Sequence, residues 1–409
     1  MQQPSIYYGG WNATGLAFLL SLVGSGTIFY SYGIYATSFA AEFHASHALI
    51  NSAYMAVLLV SGAASVAVGR MIARWGLTTV GILGAVGTAT GFFLVSFAQS
   101  MWQVVALFGV LIAAADALIS VVFCNTLIIR WFERRRGLAL AITTMGLSGA
   151  AIVYPPVTSA LTVAIGWRQT FLVHGATMLL LIPALLLWAR VPSHIADVEW
   201  LPRIPGLIRA DDTPAVSAGD LLRRADFWGV TIAIGVLGGL NGAVMISIVP
   251  FAIAQGTDPT RAALLVSTIG ASALGGKMVV AVLADRFNLL LILRLAMFNG
   301  AVAMLMLYLA KGFALWAVIS AIFGLSLGGM MPVWGALFAQ LYSASDYPAA
   351  IGWSRTIMTP LLAGVPLLAG LIYDATGGYQ LSWLAFFILA LVGFLFTFLR
   401  SKHGRLSPA

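Results

Sequence analysis

The sequence predicts an all-α membrane protein of twelve transmembrane helices arranged as two six-helix pseudo-repeats, on three observations. The chain has 409 residues, 61% hydrophobic and only 8% charged, whereas a soluble protein carries roughly 25% charged residues. Its apolar runs follow one another with few long polar gaps, which leaves no room for a separate catalytic domain. Short sequence pairs also recur at one constant offset, as internal repeats do.

Measured against the roughly 20 residues needed to cross a bilayer, the apolar runs are 12–36, 47–70, 76–98, 102–129, 137–163, 167–190, 226–255, 262–284, 288–310, 313–342, 349–373 and 380–400. The opening MQQPSIYYGGWN lacks the basic start of a cleavable signal peptide, and the run after it is long enough to span. An even number of helices places both termini on one side. Arg70, Arg74, Arg130, Arg134, Arg135, Arg136, Arg190, Arg203, Arg209, Arg223, Arg224, Arg286, Arg294, Arg400, Lys402 and Arg405 fall at that side, and only Arg168, Arg261 and Lys311 at the other. Cytoplasmic loops carry the excess of Lys and Arg, so both termini are expected in the cytoplasm, the membrane being the plasma (inner) membrane. The net charge of +8 is then a matter of orientation, with no nucleic-acid partner. Cys124, the single cysteine, can form no intrachain disulfide.

The segment 191–224 carries Pro192, Pro202, Pro205 and Pro214 with mixed charge, and reads as a cytoplasmic linker. It separates a six-helix bundle, 1–190, from a second bundle with a short tail, 225–409. Ala73-Arg74-Trp75 recurs as Asp285-Arg286-Phe287, and Gly166-Trp167 as Gly378-Tyr379, both at an offset of 212 residues. Parallel repeats related by an axis along the membrane normal produce that pattern.

Charges inside the spans are the candidates for function, because burying one costs about 2.5 to 3.5 kcal/mol on insertion scales. Lys277 lies well inside the eighth run, eight residues before Asp285 and so roughly 12 Å from the cytoplasmic end. It reads as an anion site facing a cavity, or else as a lysine paired with a buried acid for packing alone. Arg355 lies about 9 Å inside the eleventh run, where it either lines the same cavity or snorkels to the headgroups. Asp116 is the only acid well inside a span. It must be protonated or paired with a cation, as a proton-coupling residue can be, or else makes a packing hydrogen bond between helices. His174 is a second titratable candidate, or a satisfied interhelical donor. Tyr32 and Asn241 lie near mid-span, where each can donate to a carboxylate, or else packs between helices.

No metal-ligand spacing, phosphate-cradling loop or paired nucleophile and base is present in the sequence, so neither an enzyme nor an ATP-driven pump is expected, and no cofactor. Glycines in VLGGLNG, with Gly324, Gly328, Gly329 and the prolines Pro155, Pro156, Pro332, Pro360 and Pro366, suit close packing and bent helices.

Trp131-Phe132-Glu133-Arg134-Arg135-Arg136-Gly137-Leu138-Ala139, followed by Gly146 and Gly149, is similar to the start of the fifth helix in monocarboxylate transporters and their bacterial lactate and oxalate relatives, within the major facilitator superfamily. Gly9-Gly10-Trp11 resembles that family's first helix, with Tyr8 where an acid is usual. In the loop after the second helix Gly69 and Arg74-Trp75-Gly76 remain, and Ala73 replaces the superfamily's aspartate. The resemblance implies a basic residue where Lys277 stands, and a proton-carrying acid four residues earlier, where this chain has Ala273. Oxalate-transporting relatives place a basic residue on the eleventh helix, nearer Thr359 than Arg355.

The expected function is proton-coupled transport of a monocarboxylate such as lactate or pyruvate by a monomer, through alternating access of a cavity between the halves. Exchange of a dicarboxylate such as oxalate is the alternative. A non-transporting membrane receptor is the alternative of another class.

Overall fold

The computed structural model of the chain describes residues 9–132, 136–189, 218–283, 287–342 and 346–399. The expected linker up to residue 217, the tail from residue 400, Tyr8, Glu133, Arg134, Arg135, Asp285 and Arg286 lie outside the described residues.

Every regular element among the described residues is helical. Among the described residues, ten helices are long and apolar enough to cross a membrane. Parting the run Leu138–Trp188 at Gly166, and counting the shorter 17-residue Gln380–Phe396, would bring that number to the expected twelve. Gly166 has φ 81 and ψ 159, a conformation that favours glycine, and there the fifth helix turns into the sixth. Phe97, Trp102, Leu180 and Leu187 are among many exposed apolar side chains, as a surface solvated by acyl chains requires.

The internal repeat holds in the helix boundaries. His47, Leu77 and Met101 begin the second, third and fourth helices, and Pro259, Leu289 and Phe313 begin the eighth, ninth and tenth, each 212 residues on. Even the irregularities repeat. The fourth helix runs Met101–Ala106, widens through a π-helical stretch Leu107–Ile112, continues over Ala113–Ala117, and breaks before Val121–Trp131. The tenth runs Phe313–Gly328, breaks at Gly329 and resumes over Met330–Leu341. The first and seventh helices differ. The first is Gly10–Ser25, a π-helical turn Gly26–Tyr30, and Tyr32–Phe43, whereas the seventh, Ala225–Ala254, is continuous and contains Pro250.

Contacts divide the chain into two units, Met1–Trp200 with Met245–Gly270, and Leu201–Val244 with Ala271–Ala409. In the first, the first and fifth helices approach through small residues: a Cβ on Gly146 would lie 2.5 Å from the Phe18 carbonyl oxygen, and Gly26 packs under the Tyr154 ring. The segment after the first helix's break is equally close to the end of the seventh, since a Cβ on Gly33 would lie 2.7 Å from the Met245 carbonyl oxygen. Glu42 closes one end by accepting from Trp167 Nε1 (2.5 Å) and from Arg168, which also donates to the Ala98 carbonyl (2.9 Å).

In the second unit, Gly235 and Gly239 of the seventh helix face the eleventh, Tyr347–Thr376, with a Cβ on Gly239 2.5 Å from the Leu361 carbonyl oxygen. Arg224 fastens the start of the seventh helix: it donates to Asp226 at 3.1 and 2.7 Å and lies 4.7 Å over the Tyr342 ring. The eighth helix, Pro259–Leu283, meets the tenth backbone to backbone. Gly276 sits against the Leu325 carbonyl, and a Cβ on Gly328 would overlap the Ala273 carbonyl and lie 2.5 Å from the Lys277 nitrogen.

That crossing generates a stability prediction. Gly328→Ala is expected to destabilise purified protein by about 1–3 kcal/mol, because the obstacle is backbone that cannot swing away. Gly275→Ala, whose Cβ would find its nearest neighbour at 3.9 Å, is expected to be neutral or stabilising. Thermal unfolding in detergent compares the two; equal midpoints would contradict the crossing.

Candidate functional site

Lys277 lies midway along the part of the eighth helix that crosses the tenth, and it is half-buried. Small residues are needed here because the two backbones leave no volume for side chains at Gly276 and Gly328. The lysine is thus carried on a segment whose position is set by backbone contact, and the tenth helix breaks one residue beyond Gly328.

Arg355 lies on the eleventh helix of the same unit and is exposed. Its neighbour Ser354 is fully buried and accepts from Thr231 Oγ1 at 3.0 Å and Trp334 Nε1 at 3.2 Å. These bonds join the seventh, tenth and eleventh helices and set the eleventh's register at Arg355. Asn241, on the seventh helix, is half-buried, and its Oδ1 is a buried acceptor with no partner among the described residues. Such an atom is open to a donor from a ligand or a water. The same unit holds a cavity of about 230 Å³ beside the eighth and tenth helices, with Leu237, Ile292, Leu325 and Met330 in its wall. It is unsuited to an anion. Lys277 is not in its wall, and its polar residues, Asn299 and Ser326, are bonded to each other at 2.5 Å.

Asp116 belongs to the first unit, near the end of Ala113–Ala117 and just before the fourth helix breaks. It is 5% exposed and makes no ion pair among the described residues. The absence of a side chain at Gly24 leaves room for its carboxylate: a Cβ there would lie 3.3 Å from Oδ1. Tyr32 is fully buried in this unit and donates to the Ile50 carbonyl at 2.5 Å, with Tyr54 and Phe108 rings around it. Its hydroxyl reaches an anion only by giving up that bond. His174, also buried, bonds Thr158 rather than any charged group among the described residues.

The sequence places Ser354 beside Arg355 but marks neither its bonds to Thr231 and Trp334 nor the Thr158 contact. Serine and threonine are common in membrane helices, and neither spacing nor charge marks the pairs that meet.

The sequence profile described as the Major Facilitator Superfamily matches residues 16–329 and 239–409. The chain belongs to the major facilitator superfamily. It is a multi-pass membrane transporter rather than an enzyme. It is 28% identical over 349 residues to human "Monocarboxylate transporter 11", covering 80% of this chain and 69% of that one. It is 27% identical over 380 residues to human "Monocarboxylate transporter 6", covering 85% and 72%. The fold is also that of a bacterial homologue of the human lysosomal transporter Spinster, crystallised in an inward-facing, occupied conformation, with TM-score 0.73, 14% identity and 97% of each chain covered. This superfamily member therefore has the expected fold and is similar to the monocarboxylate transporters.

Ser354→Ala tests the positioning of the eleventh helix. It removes the acceptor of two buried donors, and a loss of about 1–3 kcal/mol in stability is expected. Ser354→Thr, which keeps the hydroxyl, is expected to retain more of it. Unchanged stability of Ser354→Ala would show that the three helices are held by packing alone.

Proposed function

We propose that this transporter moves small organic carboxylates by secondary active transport, with a monocarboxylate of the lactate or pyruvate kind as substrate and Lys277 as its charge partner. The observation that carries the reading is Lys277 itself: a half-buried cation inside an apolar, membrane-length helix, which no soluble-protein logic places there. The relatives named monocarboxylate transporters support the substrate class. Asn241 adds a group that meets a carboxylate through Nδ2 or a 2-hydroxyl through its open Oδ1.

The same proposal has Asp116 carry the coupled proton. A buried carboxyl is held neutral far more cheaply than ionised, and Ala273 leaves no acid four residues before Lys277. A proton taken up at Asp116 offsets the charge of one carboxylate, so the loaded carrier is nearer neutrality when it reorients between the two sides. The transporter works as a monomer with both termini cytoplasmic. Exposed Arg355 favours a second reading, a dicarboxylate such as oxalate exchanged for a monoanion, because it offers a second cation on the same unit.

Purified protein in proteoliposomes tests both residues. Lys277→Ala is expected to reduce lactate counterflow at least about tenfold, the value of one charge-assisted contact. Asp116→Asn is expected to abolish accumulation driven by an imposed pH gradient while sparing exchange. Normal uptake by the lysine variant would sink the anion assignment, and pH-driven accumulation by the asparagine variant would remove Asp116. Oxalate counterflow above that of lactate, lost in Arg355→Ala, would select the second reading.

A further inference from the structure

The break in the first helix is tied to a titratable side chain through a chain of hydroxyls. Ser31 stands between the π-helical turn Gly26–Tyr30 and the segment Tyr32–Phe43. The Gly26 carbonyl accepts from the Ser31 backbone N–H at 3.1 Å and from Ser31 Oγ at 2.7 Å. Ser31 Oγ also lies 2.7 Å from Thr158 Oγ1 on the fifth helix, and Thr158 Oγ1 lies 3.2 Å from His174 Nε2 on the sixth. Ser31 and Thr158 are fully buried and His174 is 2% exposed.

With the Thr158 hydrogen kept within this chain and not given to the Tyr35 hydroxyl beside it, counting hydrogens allows two orders, since each hydroxyl has one to give. In the first, His174 Nε2–H donates to Thr158, Thr158 to Ser31, and Ser31 to the Gly26 carbonyl. In the second, Nε2 is bare and accepts from Thr158, Thr158 accepts from Ser31, and Ser31 has no hydrogen left for Gly26. An imidazolium carries hydrogen on both nitrogens and excludes the second order. A neutral ring allows either, according to its tautomer.

We propose that His174 is a second proton-binding site, whose occupancy sets the direction of this chain and thereby the hold on the break in the first helix. Proton uptake removes the order that leaves Ser31 unfastened from the turn; proton loss makes that order available again. Two residues past Ser31, Gly33 packs on the Met245 and Ile246 backbone, so the fastening extends to the end of the seventh helix within this unit. The break itself depends on Gly26, because the Tyr154 ring fills the space that a Cβ would take.

The surroundings suit a proton that comes and goes. Facing the imidazole are Tyr35 from the first helix, with ring centroids 6.3 Å apart, Tyr154 from the fifth at 5.7 Å, and Phe92 from the third at 6.5 Å. The tyrosines are the titratable groups among these, and aromatic rings favour a cation without fixing it in place as a carboxylate does. Asp116 reaches Gly24, beside Met178 one turn along the sixth helix, and is not among the rings around His174.

Hydrogen–deuterium exchange of the full-length protein in nanodiscs tests this, read over peptides spanning residues 26–35 between about pH 3 and 8, a range wide enough for a buried imidazole. After correction for intrinsic exchange, opening is expected to be about fivefold rarer at the acid end, the factor that one ordinary buried hydrogen bond provides. His174→Gln keeps an N–H donor but cannot titrate, and Thr158→Val keeps the imidazole but cuts the chain. Each is expected to abolish the pH dependence, while Asp116→Asn retains it. A wild-type protein without pH dependence there overturns the proposal, and so does its persistence in either His174→Gln or Thr158→Val. Its loss in Asp116→Asn would assign the titration to the aspartate and overturn the proposal equally.

Discussion

The close approach of the eighth and tenth helices is the constraint on which the second unit's candidate chemistry depends. Gly276 against the Leu325 carbonyl and Gly328 against the Lys277 nitrogen bring two backbones into contact, which side chains larger than hydrogen would prevent. A lysine on a freely tilting membrane helix can snorkel toward headgroups. On a helix pinned this way the point from which its side chain reaches out is fixed. The seventh and eleventh helices repeat the device, Gly235 and Gly239 lying against Met358 and Leu361, and the Ser354 hydrogen bonds add direction to what packing alone leaves free to slide.

The internal repeat relates this arrangement to the first unit. There Ser61 donates to the Ala113 carbonyl at 3.0 Å, joining the second and fourth helices. The positions 212 residues on are Ala273 and Leu325, which belong to the crossing beside Lys277. The same offset relates Asp116 to Gly328, and Ser65 to Lys277. Equivalent helix pairs thus carry an acid in one unit and a base in the other. Both ionisable residues lie close to a helix break, at 118–120 in the fourth helix and at Gly329 in the tenth. Broken helices expose backbone groups that membrane proteins tolerate only where protein or a cavity satisfies them, and they are where a bundle bends when it moves.

Much of the fold was legible because it rests on additive properties. Apolar length marks a membrane helix whatever its neighbours, and the offset seen in two short motifs reappears in the starts of three helix pairs. Gly328, Gly329 and Pro332, which suit close packing and bent helices, stand at the break in the tenth helix. Its counterpart falls at Leu118, Ile119 and Ser120, where no glycine or proline announces it, because tertiary packing decides it. Candidate site residues were legible as charges and less so as contacts. Tyr32 has the hydroxyl expected of a ligand donor, yet it donates to Ile50, while Asn241 keeps an acceptor open. The link from Ser31 to Thr158 spans 127 residues and depends on how the first and fifth helices meet, which no local pattern encodes.

Equilibrium binding to the purified transporter tests the role of Lys277 most directly, comparing lactate with its uncharged amide in the wild type and in Lys277→Gln. The wild type is expected to prefer lactate by about tenfold or more, as a charge-assisted contact provides, and the variant to bind both alike. A preference for lactate that survives in Lys277→Gln would contradict the account.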